Sequence, residues 1–103
     1  MKIFYNSTFI KKESLEEAEI RHPIKLEYYK IINEDEIVKN KKPKFGIGVV
    51  KTEYRGGQMK VEKEQVNYLS NDETRIEEIL NIFKRNEVTP IGVTDILNDL
   101  LRI

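Results

Sequence analysis

The sequence offers few residues that could do chemistry. Its one histidine, His22, stands before a proline in a charged region. A general base must be held against its substrate. Nothing beside His22 supplies such a holder, so a surface histidine is expected. Asp95 and Asp99 stand four apart in a helical pattern, which puts both carboxylates on one face, about 5–6 Å apart at Cβ. Paired carboxylates can perform acid–base work, but glycoside chemistry also needs a substrate cleft. The helix dipole accounts for Asp95 and solubility for Asp99, leaving partner recognition as the functional expectation. Glu34-Asp35-Glu36 is the densest acidic run, and it lacks the ligand spacing and glycine of a calcium loop. With no cysteine, thiolate metal sites, disulfides and cysteine nucleophiles are excluded. No catalytic residue, cofactor or metal is assigned, and no enzyme activity is expected.

Glycines and aromatics give two further possibilities. Gly46-x-Gly48 and Gly56-Gly57 do not sit between a strand and a helix, as a dinucleotide loop requires. The first pair belongs inside a strand, where it leaves a shallow strip, and the second in a hairpin turn. Tyr28, Tyr29, Tyr54 and Tyr68 fall in strand-like segments, and Lys39, Lys41, Lys42 and Lys44 crowd one loop. Tyrosines on a sheet beside lysines can stack nucleic-acid bases, though tyrosine also simply favours strands. A helix-turn-helix is disfavoured: the last helix offers Gly92, Thr94, Asp95, Asn98 and Asp99, and two carboxylates would repel phosphates.

The elements that must position these residues read as strands, then helices. Met1 to Ile10 puts Ile3, Tyr5 and Phe9 on one face and Phe4, Asn6, Thr8 and Ile10 on the other, so both faces carry apolar side chains. Ser14-Leu-Glu-Glu17 fits a capping box, opening either a one-to-two-turn helix or a charged loop before His22-Pro23. Ile24 to Ile32 alternates until Lys30-Ile31-Ile32, where a bulge is expected. Asn33 to Lys44 is a polar connection. Phe45 to Glu53 alternates Phe45, Ile47 and Val49 against the two glycines. After the turn, Met59 and Val61 are expected to face the core, and Lys60, Glu62 and Glu64 the solvent.

Ser70-Asn-Asp-Glu73 reads as a capping box for a helix with Ile76, Ile79, Leu80 and Phe83 as its buried stripe and Asn86 just past its end. Thr89 is expected to cap the last helix, with Pro90 at its first position and Val88 stapled to Val93. Val93, Ile96, Leu97 and Leu100 form the apolar stripe of that helix. Ile91, Leu101 and Ile103 fall partly outside it.

At 103 residues the chain suits one domain, mainly β over 1–69 and a helical pair over 70–103. The expected fold is α+β, a β-meander of three to four strands against two C-terminal helices. A split-β arrangement is the alternative topology. Apolar residues make up 39%, enough for a core, and the charges cancel to a net of zero. That balance removes any long-range attraction to phosphate backbones or anionic lipid. No run approaches the ~20 apolar residues of a membrane span. The first ten residues do not read as a signal peptide, so a cytoplasmic protein is expected.

Phe45-Gly-Ile-Gly-Val49, Val66-Asn-Tyr-Leu-Ser70, Asn86-Glu-Val-Thr-Pro-Ile91 and Asp95-Ile-Leu-Asn-Asp99 together resemble a family of short uncharacterised proteins from clostridia-like, spore-forming bacteria. The resemblance spans roughly residues 45–103. It implies a bacterial cytoplasmic setting and carries no activity or site residue with it. The functional expectation is a noncatalytic protein, a homodimer or regulatory module, meeting a protein partner or itself through Ile91, Asp95, Asp99, Leu101 and Ile103. Ser14 to Arg21 could instead fold over the last helix as a lid. The alternative is a nucleic-acid-binding regulator using the Lys39–Lys44 loop and the sheet tyrosines.

Overall fold

The computed structural model describes residues 1–20, 22–34 and 42–101. Strands β1 (Lys2–Phe9), β2 (Ile24–Ile32), β3 (Phe45–Arg55) and β4 (Gln58–Ser70) form one sheet in the order β1-β2-β3-β4. Every pairing is antiparallel. The arrangement is therefore α+β and a meander, not a split-β unit. Helix α1 (Lys12–Glu17) lies between β1 and β2. Helix α2 (Glu73–Arg85), a 3-10 turn (Pro90–Gly92) and helix α3 (Val93–Leu100) follow β4.

One sheet face carries the core. Leu26 and Tyr28 from β2 and Phe45, Ile47 and Val49 from β3 meet Ile76, Ile79, Leu80 and Phe83 of α2. Those four positions sit at helical spacing, so α2 lays a continuous apolar stripe on the sheet. Val88, Val93 and Leu97 close the same core, and Ile96 and Leu100 pack at its margin. The Tyr28 hydroxyl donates to the Val88 carbonyl at 2.8 Å, tying the sheet centre to the turn before α3.

Several local expectations need revision. β2 pairs with β3 in unbroken register from Ile24 to Ile32, so it has no bulge. Lys30 stays on the helix side because Glu73 and Glu77 accept from its ammonium, and Ile31 is buried on the other face. The irregularities fall instead between Phe4 and Asn6 and in β4 opposite Phe45–Ile47. The first changes the phase of β1: Tyr5 packs against the core, while Phe4 and Phe9 pair with Tyr29 and Lys25 on the far face.

The caps move too. Asp72, not Ser70, caps α2, its carboxylate accepting from the Thr74 and Arg75 amides. The Glu73 carboxylate is engaged by Lys30 instead of closing a capping box. Ser14 lies inside α1, which begins at Lys12 with no side-chain cap. Thr89 precedes the 3-10 turn with no side-chain cap hydrogen bond, although Pro90 does take the first position. After α2 it is Glu87, at φ 51°, that adopts the left-handed backbone, one residue past Asn86.

Candidate functional site: the open sheet face

The sheet face opposite the helices is where structure and expectation part. Directly paired residues share a face, so the registers define its rungs. Lys2, Ile31 and Gly46 make the first. Phe4, Tyr29, Gly48 and Gln65 make the second, and Ser7, Glu27, Val50 and Lys63 the third. Phe9, Lys25, Thr52 and Val61 follow, then Tyr54 and Met59 beside the hairpin turn. An antiparallel sheet with one wet face normally shows polar residues there. Here Phe4, Phe9, Tyr54, Met59 and Val61 are exposed on it, Phe9 at 59% and Met59 at 63%.

Met59 and Val61 therefore do not face the core. Buried Ile47 and Val49 set the phase of β3, and Ile47 pairs with Val66 of β4. A strand's side-chain period is two, so Val66 on the helix side carries Glu64, Glu62 and Lys60 there as well. Helix α2 is 13 residues, roughly 20 Å, whereas β4 is also 13 residues but roughly 43 Å long. The hairpin end thus extends beyond the helix. Its charged phase forms ion pairs there: Lys51 lies 4.0 Å from Glu62, and Lys60 lies 3.7 Å from it.

The two faces of that end differ in kind. On the helix side, His22 Nε2 lies 2.9 Å from Glu53 Oε2, and Lys51 Nζ lies 2.9 Å from Glu53 Oε1. His22 is therefore a mostly shielded, paired residue. The Lys51 hydrogen bond and then that of His22 hold the Glu53 carboxyl below its ordinary range. Glu19, Ile20 and Arg55 join His22 and Glu53 around an open depression of about 410 Å³. The His22–Glu53 pair joins the β1–β2 connection to β3. Among the described residues no three acidic or histidine side chains gather as a metal site.

The tyrosines do not form one stacking surface. Tyr28 is in the core, and burial, then the Glu87 charge, push its phenol pKa upward. Lys2 lies 4.4 Å over the Tyr29 ring and Lys42 lies 4.5 Å over Tyr68. Tyr54 is the exposed member of the set. Lys39 and Lys41 lie outside the described residues, as do Asp35 and Glu36 of the acidic run.

The residues expected to meet a partner on the last helix are spread out. Ile91 is 90% exposed, and Asp95 and Asp99 are exposed. Leu101 instead packs partly buried against the core, because its amide continues the helix to the Leu97 carbonyl and turns the side chain inward. Ile103 lies outside the described residues, as does Arg21 at the end of the proposed lid. Sequence reasoning named Tyr54 only among the tyrosines that could stack bases, assigned Met59 and Val61 to the core, and did not single out Phe4 or Phe9 as a site. For Phe4 and Phe9 the one sequence signal is the apolar character of both faces of β1.

A family model matches residues 6–102. The chain belongs to the DUF6514 family of unknown function. Neither a curated protein nor a solved structure matches it. The DUF6514 match runs from within β1 through α3, so the helical backing and the open face apart from Lys2 and Phe4 lie within the family's extent. No described helix of this DUF6514 member is long and apolar enough to cross a membrane.

Proposed function

We propose that this DUF6514 member is a noncatalytic protein-interaction domain whose docking surface is the open sheet face. One observation carries this reading: five large apolar side chains stand exposed on the face that an antiparallel sheet would ordinarily give to polar residues. Burying such a side chain gains roughly 1.5–3 kcal/mol over leaving it in water. Tyr54 pairs directly with Met59, and Val61 follows two residues along the same strand, so the hairpin end clusters apolar side chains in the way that marks interaction sites. Ile91, with Asp95 and Asp99, is a smaller proposed contact on a separate element. A regulatory role in the cytoplasm of a clostridia-like bacterium is the setting we infer, and the cysteine-free sequence fits a reducing compartment.

The nucleic-acid alternative has less support. Tyr28 is unavailable for stacking, and the chain's own lysines cover Tyr29 and Tyr68. Site-specific photo-crosslinking in the source cell tests the proposal. A photoreactive residue at Tyr54 or Val61 should give protein adducts, and one at the exposed Lys84 of α2 should not. Adducts from Lys84 with none from the sheet would refute it.

A further inference from the structure

We infer that the free edge of β4 pairs with β4 of a second copy of this chain, antiparallel about Val61, so that two sheets join edge to edge. The site is a strand edge and lies apart from the open face, so the inference goes beyond the docking reading. β4 is an outer strand of the sheet, and among the described residues no strand pairs with its other side. From Gln58 to Gln65 it runs in unbroken register with β3, and the irregular stretch lies beyond. Such an edge presents a row of backbone amides and carbonyls that can template another strand. The side chains along it select the partner.

A two-fold axis between the joined edges sets one residue of β4 opposite itself. Directly opposed residues share a face, and like charges there are destabilising. An axis at Lys60, Glu62, Lys63 or Glu64 therefore sets a charge against its own kind. An axis at Gln65 leaves all four of those charges opposite uncharged residues and runs into the irregular stretch. An axis at Val61 sets Lys60 of each copy opposite Glu62 of the other. It also sets Gln58 opposite Glu64, Met59 opposite Lys63 and Val61 opposite itself, with no like-charged pair.

Within one chain the same rungs already alternate in sign. Glu53 is opposite Lys60, and Lys51 is opposite Glu62. Lys51 lies 2.9 Å from Glu53, and Lys60 lies 3.7 Å from Glu62. The Val61 axis continues that alternation across the joint: Glu53, Lys60, then Glu62 and Lys51 of the second copy. Lys63 of each copy falls four residues from its counterpart, roughly 14 Å along the strands and beyond the Debye length at physiological salt. The lysines of the two open faces thus lie side by side and apart, never opposed. The helices leave room as well. They back the other end of the sheet, so the hairpin ends slide past each other with the two helical layers at opposite ends.

Light scattering across a dilution series tests the inference on the full chain. Twice the 12.2 kDa chain mass is expected at high concentration, falling to one chain mass on dilution. Lys60→Glu alone sets acid against acid across the joint, and Glu62→Lys alone sets base against base. Each should raise the dimer dissociation constant on the order of 30-fold, from two reversed cross-strand pairs. An equimolar mixture of the two variants restores opposite charges in both pairs and should dimerise about as tightly as the native chain.

A second measurement leaves the charges in place. Val61 is 42% exposed in the single chain, and the chain lacks cysteine, so Val61→Cys carries one accessible thiol. On the axis the two Cβ atoms stand about 4.5–5.5 Å apart, and mild oxidation should link the copies by a disulfide. Gln65→Cys, on the same face of the same strand, falls eight residues from its counterpart, roughly 27 Å, and should not link. A monomer at all concentrations, a mixture that dimerises no better than its components, or Gln65→Cys linking as fast as Val61→Cys would overturn the inference. So would a dimer that Lys60→Glu leaves unchanged. A monomer whose Tyr54 position crosslinks to other cell proteins would end this inference and leave the docking reading standing.

Discussion

Gly46 and Gly48 are two residues apart on one strand face, and the structure assigns them opposite fates when a methyl group is added. Neither has the left-handed backbone seen at Gly56 (φ 57°) and Gly57 (φ 80°), so the cost at Gly46 and Gly48 is steric alone. A Cβ at Gly48 would lie 3.6 Å from Tyr29 Cβ and 3.8 Å from Ile31 Cδ1, which is ordinary contact. A Cβ at Gly46 would collide with the Val66 and Asn67 carbonyl oxygens and stand 2.6 Å from the Asn67 carbonyl carbon. Those atoms are backbone, held by the irregular stretch of β4 opposite Phe45–Ile47. Restoring normal separation requires the strands to part by roughly 1 Å. Overpacking of this kind costs about 1–3 kcal/mol, and a backbone obstacle puts Gly46→Ala at ~3 kcal/mol. Gly48→Ala should be neutral or gain ~0.5 kcal/mol from the lost freedom of glycine in the unfolded chain. Urea melts compare them directly. With a slope near ~1.5 kcal/mol/M, Gly46→Ala should lower the midpoint by ~2 M and Gly48→Ala should not lower it. Equal midpoints for the two variants would refute the close approach of β3 and β4 at Gly46.

Two further predictions concern the helices. Asp72→Ala should cost ~1 kcal/mol in the same melts, since its carboxylate accepts from two amides of α2, whereas Thr89→Ala should change the midpoint little. Lys30 donates at 2.8 Å to both Glu73 and Glu77, and these hydrogen bonds raise its pKa. Glu73→Gln/Glu77→Gln should cost about 1–2 kcal/mol at neutral pH, a figure discounted because both carboxylates remain partly in water. A raised lysine pKa means this stabilisation is complete below the ordinary lysine value and is lost as pH rises through the folded value. The gap between wild type and the double variant should therefore close on the alkaline side of that ordinary value. A gap that widens there would exclude the charged Lys30 as its source.

The helical half of the fold was legible because its signals have one solution. Ile76, Ile79, Leu80 and Phe83 recur at a spacing that fits only one face of one helix, and all four are buried. Phe45, Ile47 and Val49 were equally clear, since the intervening glycines leave no second apolar phase to choose. The caps were less legible. Ser70 and Asp72 both precede the helix with a side-chain acceptor, and sequence alone does not say which one meets the amides. In the structure the Ser70 hydroxyl accepts from the Asp72 amide at 3.0 Å, so the serine supports the residue that does the capping. Lys30 misled in a different way. A lysine on the buried phase of a strand resembles a register slip until acids forty residues later in the chain are known to lie above it.

The orientation of β4 shows why the candidate site was hidden. Alternation fixes which residues share a face, but a strand read alone does not say which face meets the helices. The usual rule gives the apolar phase to the core, which would turn Met59 and Val61 inward. That rule assumes the helices reach the whole strand. They do not reach the hairpin end, and the phase is dictated by Ile47 and Val66 nearer the centre of the sheet. Met59, Val61 and Tyr54 are then carried onto the open face by register alone. The same register effect explains β1, whose Phe4 and Phe9 lie on the open face while Tyr5 packs against the core. Under the docking proposal, the ambiguous strand and the misassigned strand are two signs of one feature: a sheet face that a partner covers where the chain's own helices do not.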